Sequence, residues 1–528
     1  MKRIPLGKQH FSQFKSQNLI YVDKTREIYE LVNEPNYYFY SHPRRFGKSL
    51  TVDILKNIYL GNKELFDECW IYDKITWKVH PVVHLDFANL DFSTKSLSKA
   101  ISDKLNEVSL EYEIELFNES PKDKFRELIT KLSSLGRVVV LIDEYDKPLT
   151  DYITDVDKAE INREILREFF GVLKPLGDKI ELVFITGIAR FSKVSLFSVL
   201  NNLVDITFSA PTLVGITQQE LEYYFMPYIK ILAEKFDVSI EKILKRLKQM
   251  YNGYSWNGQD FVYNPFSVLT ALQDKNFGSY WFATGTPKFL IKILKERKVS
   301  GQEIEAHFVN DMFFNVFDIE ENLDVPPLLF QTGYLTIKKT TYDNQFRKKY
   351  LLGYPNQEVK EAFLQSLLEI YTEKKYSTVY TATEYLKTGF LEKDIPAIQK
   401  QLNILLSDIS YHLFPFEKRK PDEVRKQQEF MAWEGYFQTI VYLVLQYIGI
   451  NIQCEVTKKE GRLDAIIEVD NYIYVVEFKL NDAKIALQQI KDRNYAHAFQ
   501  NTNKQIILMG IGFDRVKKEV LPIEWELN

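Results

Sequence analysis

Tyr37-Tyr38-Phe39-Tyr40-Ser41-His42-Pro43-Arg44-Arg45-Phe46-Gly47-Lys48-Ser49 runs from a short β-rich stretch into a loop that closes on Gly-Lys-Ser. The residues that follow, Ser49 to Tyr59, read as a helix. Strand, loop and helix in this order make the end of a P-loop. The glycine lets the backbone approach a phosphate, and the loop amides and helix N-terminus cradle anionic oxygens. Lys48 is placed to reach the β- and γ-phosphates of a nucleotide and Ser49 to ligate Mg²⁺, while Arg44 and Arg45 add charge to the loop. The motif wants an earlier glycine at position 42, where this chain has His42.

Working outward, strands alternate with helices to about residue 215. Val82 to Asp86 is a strand, Lys99 to Leu110 and Lys122 to Leu132 are helical, and Glu181 to Thr186 is another strand. Val138-Val139-Val140-Leu141-Ile142 is a continuous apolar run, as in a parallel strand buried on both faces. The pattern implies a parallel α/β sheet. Asp143 and Glu144 end that strand. The aspartate is placed to hold Mg²⁺ and the glutamate to polarise an attacking water. Thr186 ends the next strand and is a candidate γ-phosphate sensor. Arg190 and Lys193 follow it, with a plain ion-pair role as the alternative.

The other informative stretch lies near the C-terminus. Gly461-Arg462-Leu463-Asp464-Ala465-Ile466-Ile467-Glu468-Val469 and Tyr472 to Lys479 flank Asp470-Asn471, a two-residue turn signal. Counting outward from the turn places Asp464 opposite Glu477. Cross-strand neighbours lie about 5 Å apart at Cβ, and two carboxylates at that distance call for a cation between them. Lys479 projects from the same face as Glu477. Asp, Glu-x-Lys and a metal describe a hydrolytic site for phosphodiesters, and the plain alternative is a solvent-facing hairpin with scattered charges.

Between these parts the signal is mostly helical from about 216 to 300, interrupted at Tyr251-Asn252-Gly253-Tyr254. It is helical again from 300 to 420, with one β ribbon. The ribbon joins Tyr334-Leu335-Thr336-Ile337 to Tyr350-Leu351-Leu352 through a turn near Asp343-Asn344 and suggests a winged-helix-like module. Lys418-Arg419-Lys420-Pro421 reads as a linker. These lysines and arginines, with Arg425 and Lys426, are solvated charges or a path for DNA. The expected division is 1–215, 216–300, 301–420 and 421–528.

A chain of 528 residues is too long for one core. With 45% hydrophobic and 27% charged residues, no long part reads as disordered. The net charge of −4 gives no global attraction to nucleic acid, so such binding needs a local basic surface. Cys69 and Cys454 make neither a metal spacing nor a disulfide framework, and a reducing cytoplasm is the simple expectation. No apolar signal core follows Met1. The run Ile440 to Ile452 is too short to span a bilayer and reads as a buried helix, so no membrane partner is expected.

Tyr21-Val22-Asp23-Lys24-Thr25, Pro43 to Leu50, Leu141-Ile142-Asp143-Glu144-Tyr145-Asp146 and Ile185-Thr186-Gly187-Ile188-Ala189-Arg190-Phe191 resemble the bacterial AAA-ATPase-like family. The resemblance extends over Tyr251 to Tyr254 and Asn264-Pro265-Phe266-Ser267. In that family a P-loop ATPase domain precedes a domain of the PD-(D/E)XK nuclease superfamily, and a missing first P-loop glycine is normal. The resemblance implies an α/β multidomain chain. Its parts are an N-terminal parallel sheet and a C-terminal α/β nuclease-like domain, with the mainly helical, winged-helix-like centre read above from the sequence itself between them. It further implies that a helix from Met431 to Tyr447 supplies Glu434 as a third metal ligand beside Asp464 and Glu477. Gln489 and Tyr495 resemble a Gln-Tyr pair that positions the backbone phosphate. The roles follow from chemistry. The metal activates water, and Lys479 orients or deprotonates it or neutralises the transition state.

The expected function is an ATP-binding, ATP-hydrolysing protein that uses Mg²⁺ and controls a nuclease acting on nucleic acid, DNA first. ATP binding at Lys48 would reorient the 216–420 region and gate the Asp464/Glu477 site. The alternatives are a nucleotide-dependent switch whose last domain is an inactive binding module, and a non-enzymatic scaffold. A homo-oligomer is compatible with the sequence.

Overall fold

The computed structural model describes residues 1–153, 155–188, 190, 200, 202–281, 290, 293, 308–315, 325–406, 437, 439–458, 461–499, 502–514 and 516–528. Glu434, Lys193, most of 431–438 and the basic residues from Lys418 to Lys426 lie outside the described residues. The chain forms two compact units, the first running to Val359 and the second from Lys360 to Asn528.

The first unit is built on five parallel strands: β1 (Tyr37–Ser41), β2 (Val82–Asp86), β3 (Val138–Asp143), β4 (Ile180–Gly187) and β5 (Val204–Asp205). Their order is β2-β3-β4-β1-β5. β1, β3 and nearly all of β4 are buried, which is why their sequences lack polar alternation. The helices expected at Ser49, Lys99 and Lys122 are present as Lys48–Tyr59, Leu97–Glu111 and Pro121–Leu132. The Ser120 hydroxyl accepts from the Asp123 amide and Pro121 opens the last of these, so its start is locally encoded.

Short strands β6 (Ile216–Thr217) and β7 (Val262–Tyr263) pair antiparallel. Around them helices Gln218–Phe236, Ile240–Tyr251 and Pro265–Asp274 pack through Leu221, Phe225, Leu247 and Val268. Thr217 and Glu220 form a reciprocal capping box at the first helix.

The ribbon is three-stranded: β8 (Phe308–Val309), β9 (Thr336–Tyr342) and β10 (Lys348–Gly353), in the order β8-β10-β9. Its first strand starts later than the sequence suggests. Helix Val325–Thr332 ends at Gly333, with φ of 91°, and the amides of Tyr334 and Leu335 bond back to Leu329 O. Those two residues therefore close a helix rather than open a strand.

The second unit contains β11 (Asn451–Lys458), β12 (Gly461–Glu468), β13 (Tyr472–Leu480), β14 (Gln505–Asp514), β15 (Glu519–Val520) and β16 (Glu524–Leu527). The order is β11-β12-β13-β14-β15, and β16 also pairs with β14. β13 and β14 are parallel, and helix Ala483–Asp492 makes the crossover between them. Gly510 permits close packing there, since a Cβ on it would sit 2.3 Å from Ala483 O. The apolar run from Ile440 is helical over 439–447 and stops at Gly449, whose φ is 74°. Ile452 belongs to β11, so the run is a helix followed by a strand rather than one buried helix.

Candidate functional sites

The P-loop follows β1 directly. Positive φ falls on Arg45 (71°) and Gly47 (108°), and not on His42, so the turn does not require glycine at position 42. The His42 side chain is buried away in an aromatic cluster. Its ring centroid lies 4.2 Å from Tyr40 and 3.8 Å from Trp256, and its Nε2 is 3.2 Å from the Tyr40 hydroxyl. Burial, and then the Lys48 charge, hold its pKa well below the usual histidine value, so the ring is neutral.

Lys48 is buried, and its Nζ donates to His42 O at 2.7 Å and Pro43 O at 2.9 Å. Burial lowers its pKa, and Glu144, Asp143 and Asp146 act in the opposite sense.

Residues distant in sequence clamp the loop. Phe46 packs on Tyr254 and Trp256, Gly215 N donates to Phe46 O, and Trp281 Nε1 donates to Arg44 O at 3.2 Å. Glu358, in the first turn of helix Gln357–Thr372, accepts from the amides of Tyr280 (2.5 Å) and Trp281 (2.7 Å). Burial, partly offset by these bonds, pushes its pKa up to about 7. Glu358→Ala leaves a buried and a half-buried N–H group without their acceptor. We expect a loss of about 2–4 kcal/mol in urea unfolding of the first unit and weaker nucleotide binding in titration, because Trp281 no longer holds Arg44 O.

At the strand ends, Asp143 Oδ1 accepts from the Thr186 hydroxyl at 2.8 Å and from the Glu144 amide at 3.0 Å. Glu144 turns away at φ of 49°, and its side chain lines a cleft of 430 Å³ with Arg44, Arg45, Gly47, Lys48 and Ser49. The cleft continues to Tyr21, Val22, Ile216, Phe266 and Leu269. Its lining combines the cations of the loop with these apolar and aromatic side chains, which fits a triphosphate and a base. Ser49 and Asp143 supply oxygen donors suited to Mg²⁺. Sequence reasoning missed Asp86, which pairs with Asp143 in register. Burial, then the Asp143 and Glu144 charges, raise its pKa. Its place at the end of a buried parallel strand was the available signal.

Arg190 does not line this cleft. Its guanidinium makes a buried ion pair with Asp205 on β5, lies 4.9 Å over the Phe208 ring, and its amide donates to Gln331.

In the second unit the hairpin register is the one counted from the turn. Val469 N donates to Tyr472 O across Asp470-Asn471, and Ala465 pairs with Val476. The next step brings Asp464 beside Glu477: Asp464 N lies 3.4 Å from Glu477 Oε2, and Phe478 N donates to Asp464 Oδ2 at 2.9 Å. Glu477 is buried, and its Oε1 accepts from Lys479 Nζ at 3.3 Å and from Gln489 Nε2. Burial and then the Asp464 charge push its pKa up to about 7, against the opposing pull of Lys479. Tyr495 is buried as well, and its pKa is raised, by burial first and next by the charge of Glu477. All five residues named in this unit, other than Glu434, thus meet in one place. A buried carboxylate held against a second carboxylate fits a divalent cation, which would relieve both causes of its raised pKa. Among the described residues no group of three or more His, Cys, Asp or Glu side chains is placed to hold a metal.

Fold and geometry define a two-part protein, a P-loop ATPase-type unit followed by a PD-(D/E)XK-type sheet. The family model of a predicted AAA-ATPase matches residues 5–197, and that of the PD-(D/E)XK nuclease superfamily matches 432–522. An uncharacterized protein from the vnfD 5′ region of Azotobacter chroococcum mcd 1 is 32% identical over 530 residues, covering 98% of each chain. The chain belongs to the AAA-ATPase-like family whose members carry a C-terminal PD-(D/E)XK nuclease superfamily domain. No described helix is long and apolar enough to cross a membrane.

Proposed function

We propose that the protein binds and hydrolyses ATP with Mg²⁺ and that its nucleotide state controls a metal-dependent nuclease acting on DNA in the cytoplasm. The observation that carries the nuclease half is Glu477: a buried carboxylate flanked by Asp464 and Lys479 of its own hairpin and by Gln489 of the crossover helix. Lys48, Ser49, Arg44 and Arg45 would bind the phosphates, Asp143 and Ser49 would hold Mg²⁺, Glu144 would orient the attacking water, and Thr186 would orient Asp143. Arg190 would act on the nucleotide only through the β5 end it pins. Asp464 and Glu477, joined by Glu434, would hold the second metal, whose chemistry when bound is Lewis-acid activation of water. Lys479 would carry the proton or charge at the scissile phosphate, and Gln489 and Tyr495 would position it. The division into 1–215, 216–300, 301–420 and 421–528 belongs to this reading, as does a homo-oligomeric state.

The test incubates wild type and Lys479→Ala with plasmid, linear and single-stranded DNA, in Mg²⁺ or Mn²⁺, with and without ATP. Cleavage by wild type alone, altered by ATP, is the expected result. No cleavage in any lane moves the reading to a nucleotide-dependent switch with an inactive last domain.

A further inference from the structure

We infer that the β9–β10 hairpin is a second nucleic-acid contact, a wing that grips the polymer's phosphate backbone with lysines and its bases with an aromatic tip. The inference rests on the proposed function for the nature of the polymer, but not on cleavage.

The base of the hairpin is pinned. Thr340 Oγ1 donates to Asn257 O at 2.7 Å, Lys338 Nζ to Pro355 O at 3.1 Å, and the buried Tyr350 hydroxyl to Asp311 at 2.6 Å. Beyond these anchors the character changes. Lys339, Lys348 and Lys349 are exposed, and none has a carboxylate partner among the described residues. Arg347 is exposed too, although Asp343 takes its Nε at 2.8 Å. With Lys338, the span Thr336–Gly353 holds five cations and one carboxylate, in a chain whose net charge is −4.

The register shows how the charges are arranged. Lys349 pairs with Thr341 and Leu351 with Lys339, so Lys339 and Lys349 share one face as diagonal neighbours. Lys348 pairs with Tyr342 on the other face, where Tyr342 is 62% exposed. No lysine lies directly opposite another, so the hairpin carries these exposed charges at little cost to folding and presents them to solvent. β8 covers β10 only at Tyr350 and Leu351, so Lys348 and Lys349, like Lys339, stand on the part of the hairpin that projects beyond the third strand.

The tip carries the second signal. Phe346 is 89% exposed and sits at φ of 57°, a conformation that bulky side chains rarely adopt. It buries nothing within the protein that would offset that strain. An exposed aromatic ring beside exposed lysines offers a stacking surface for bases next to cations for phosphates.

The test measures binding of fluorescent duplex and single-stranded oligonucleotides by anisotropy in EDTA, over a salt series. The triple variant Lys339→Ala/Lys348→Ala/Lys349→Ala should bind duplex about tenfold or more weakly. Its slope of log affinity against log salt should be shallower by about 2–3, as loss of three phosphate contacts requires. Phe346→Ala should weaken single-strand binding about tenfold with the salt slope kept. Melting temperatures and their response to ATP-Mg²⁺ should match wild type, since the altered side chains are exposed. Unchanged affinity and slope in both variants, or wild-type binding to anionic vesicles but not to oligonucleotides, overturns the inference. Glu477→Ala separates the two claims: it should lose cleavage and keep this binding.

Discussion

Lys48→Ala should abolish the stabilisation that ATP-Mg²⁺ gives the wild-type protein and lower ATP hydrolysis by about 10²–10³-fold. The ammonium sits under the loop, held by the carbonyls of His42 and Pro43, within the field of Glu144, Asp143 and Asp146. Triphosphate oxygens are stronger acceptors than those carbonyls, so nucleotide binding draws on a cation already desolvated and positioned. Alanine removes that cation, so Glu144 faces the phosphates with only the less buried Arg44 and Arg45 of the loop to offset it. A ligand that binds only the native state at 100 times its Kd adds about 2.7 kcal/mol of stability. Thermal unfolding with and without ATP-Mg²⁺ checks this: wild type should shift upward and the variant should not. Folding should survive, because Trp281, Gly215 and the Tyr254/Trp256 pair hold the loop without the lysine.

Glu477→Gln should eliminate cleavage and, in EDTA, make the second unit more stable than wild type above pH 7. The sign follows from the direction of the shift. Glu477 is raised from an ordinary glutamate value to about 7, so the fold favours its protonated form. Its contribution is full below the unfolded-state pKa and is lost as pH rises through about 7, amounting to about 3 kcal/mol at the alkaline end. Glutamine is neutral throughout and escapes that loss. Urea unfolding at pH 5 and pH 8 should show the two proteins converging at the acid end and separating at the alkaline end. Adding Mn²⁺ at pH 8 should stabilise wild type and leave the variant unmoved. Equal stability at both pH values would mean that Glu477 ionises as freely as an exposed glutamate.

Local signals carried much of the fold. The Val138 to Ile142 run, the loop before Lys48 and the Asp470-Asn471 turn each specify their own geometry. Their registers then bring Asp143 to Thr186 and Asp464 to Glu477. Gln489 joins Glu477 because the helix bearing it is the crossover between two parallel strands. Legibility stopped where contacts span long separations. No period or spacing near Tyr251 announces that Tyr254 and Trp256 wall the P-loop, or that Glu358 positions Trp281. Arg190 follows a sensor-like threonine, yet Asp205 on a neighbouring strand takes its guanidinium. Such pairings are decided by tertiary packing, which one sequence does not display. Tyr334 and Leu335 misled for a local reason, since a glycine-ended helix followed by apolar residues looks like a strand start.

The clamp on the loop also sets a schedule for synthesis. His42, Arg44 and Phe46 lean on residues 254, 256 and 281, more than two hundred positions later. A nascent chain that has just completed β5 possesses every strand of the sheet but not the walls of its phosphate cradle. A chain truncated near residue 215 should therefore fold as a sheet without acquiring nucleotide affinity. On the proposed reading of the cleft, ATP should find no complete site until the ribosome has passed Trp281. The chain should thereby stay silent toward nucleotide for more than half of its translation.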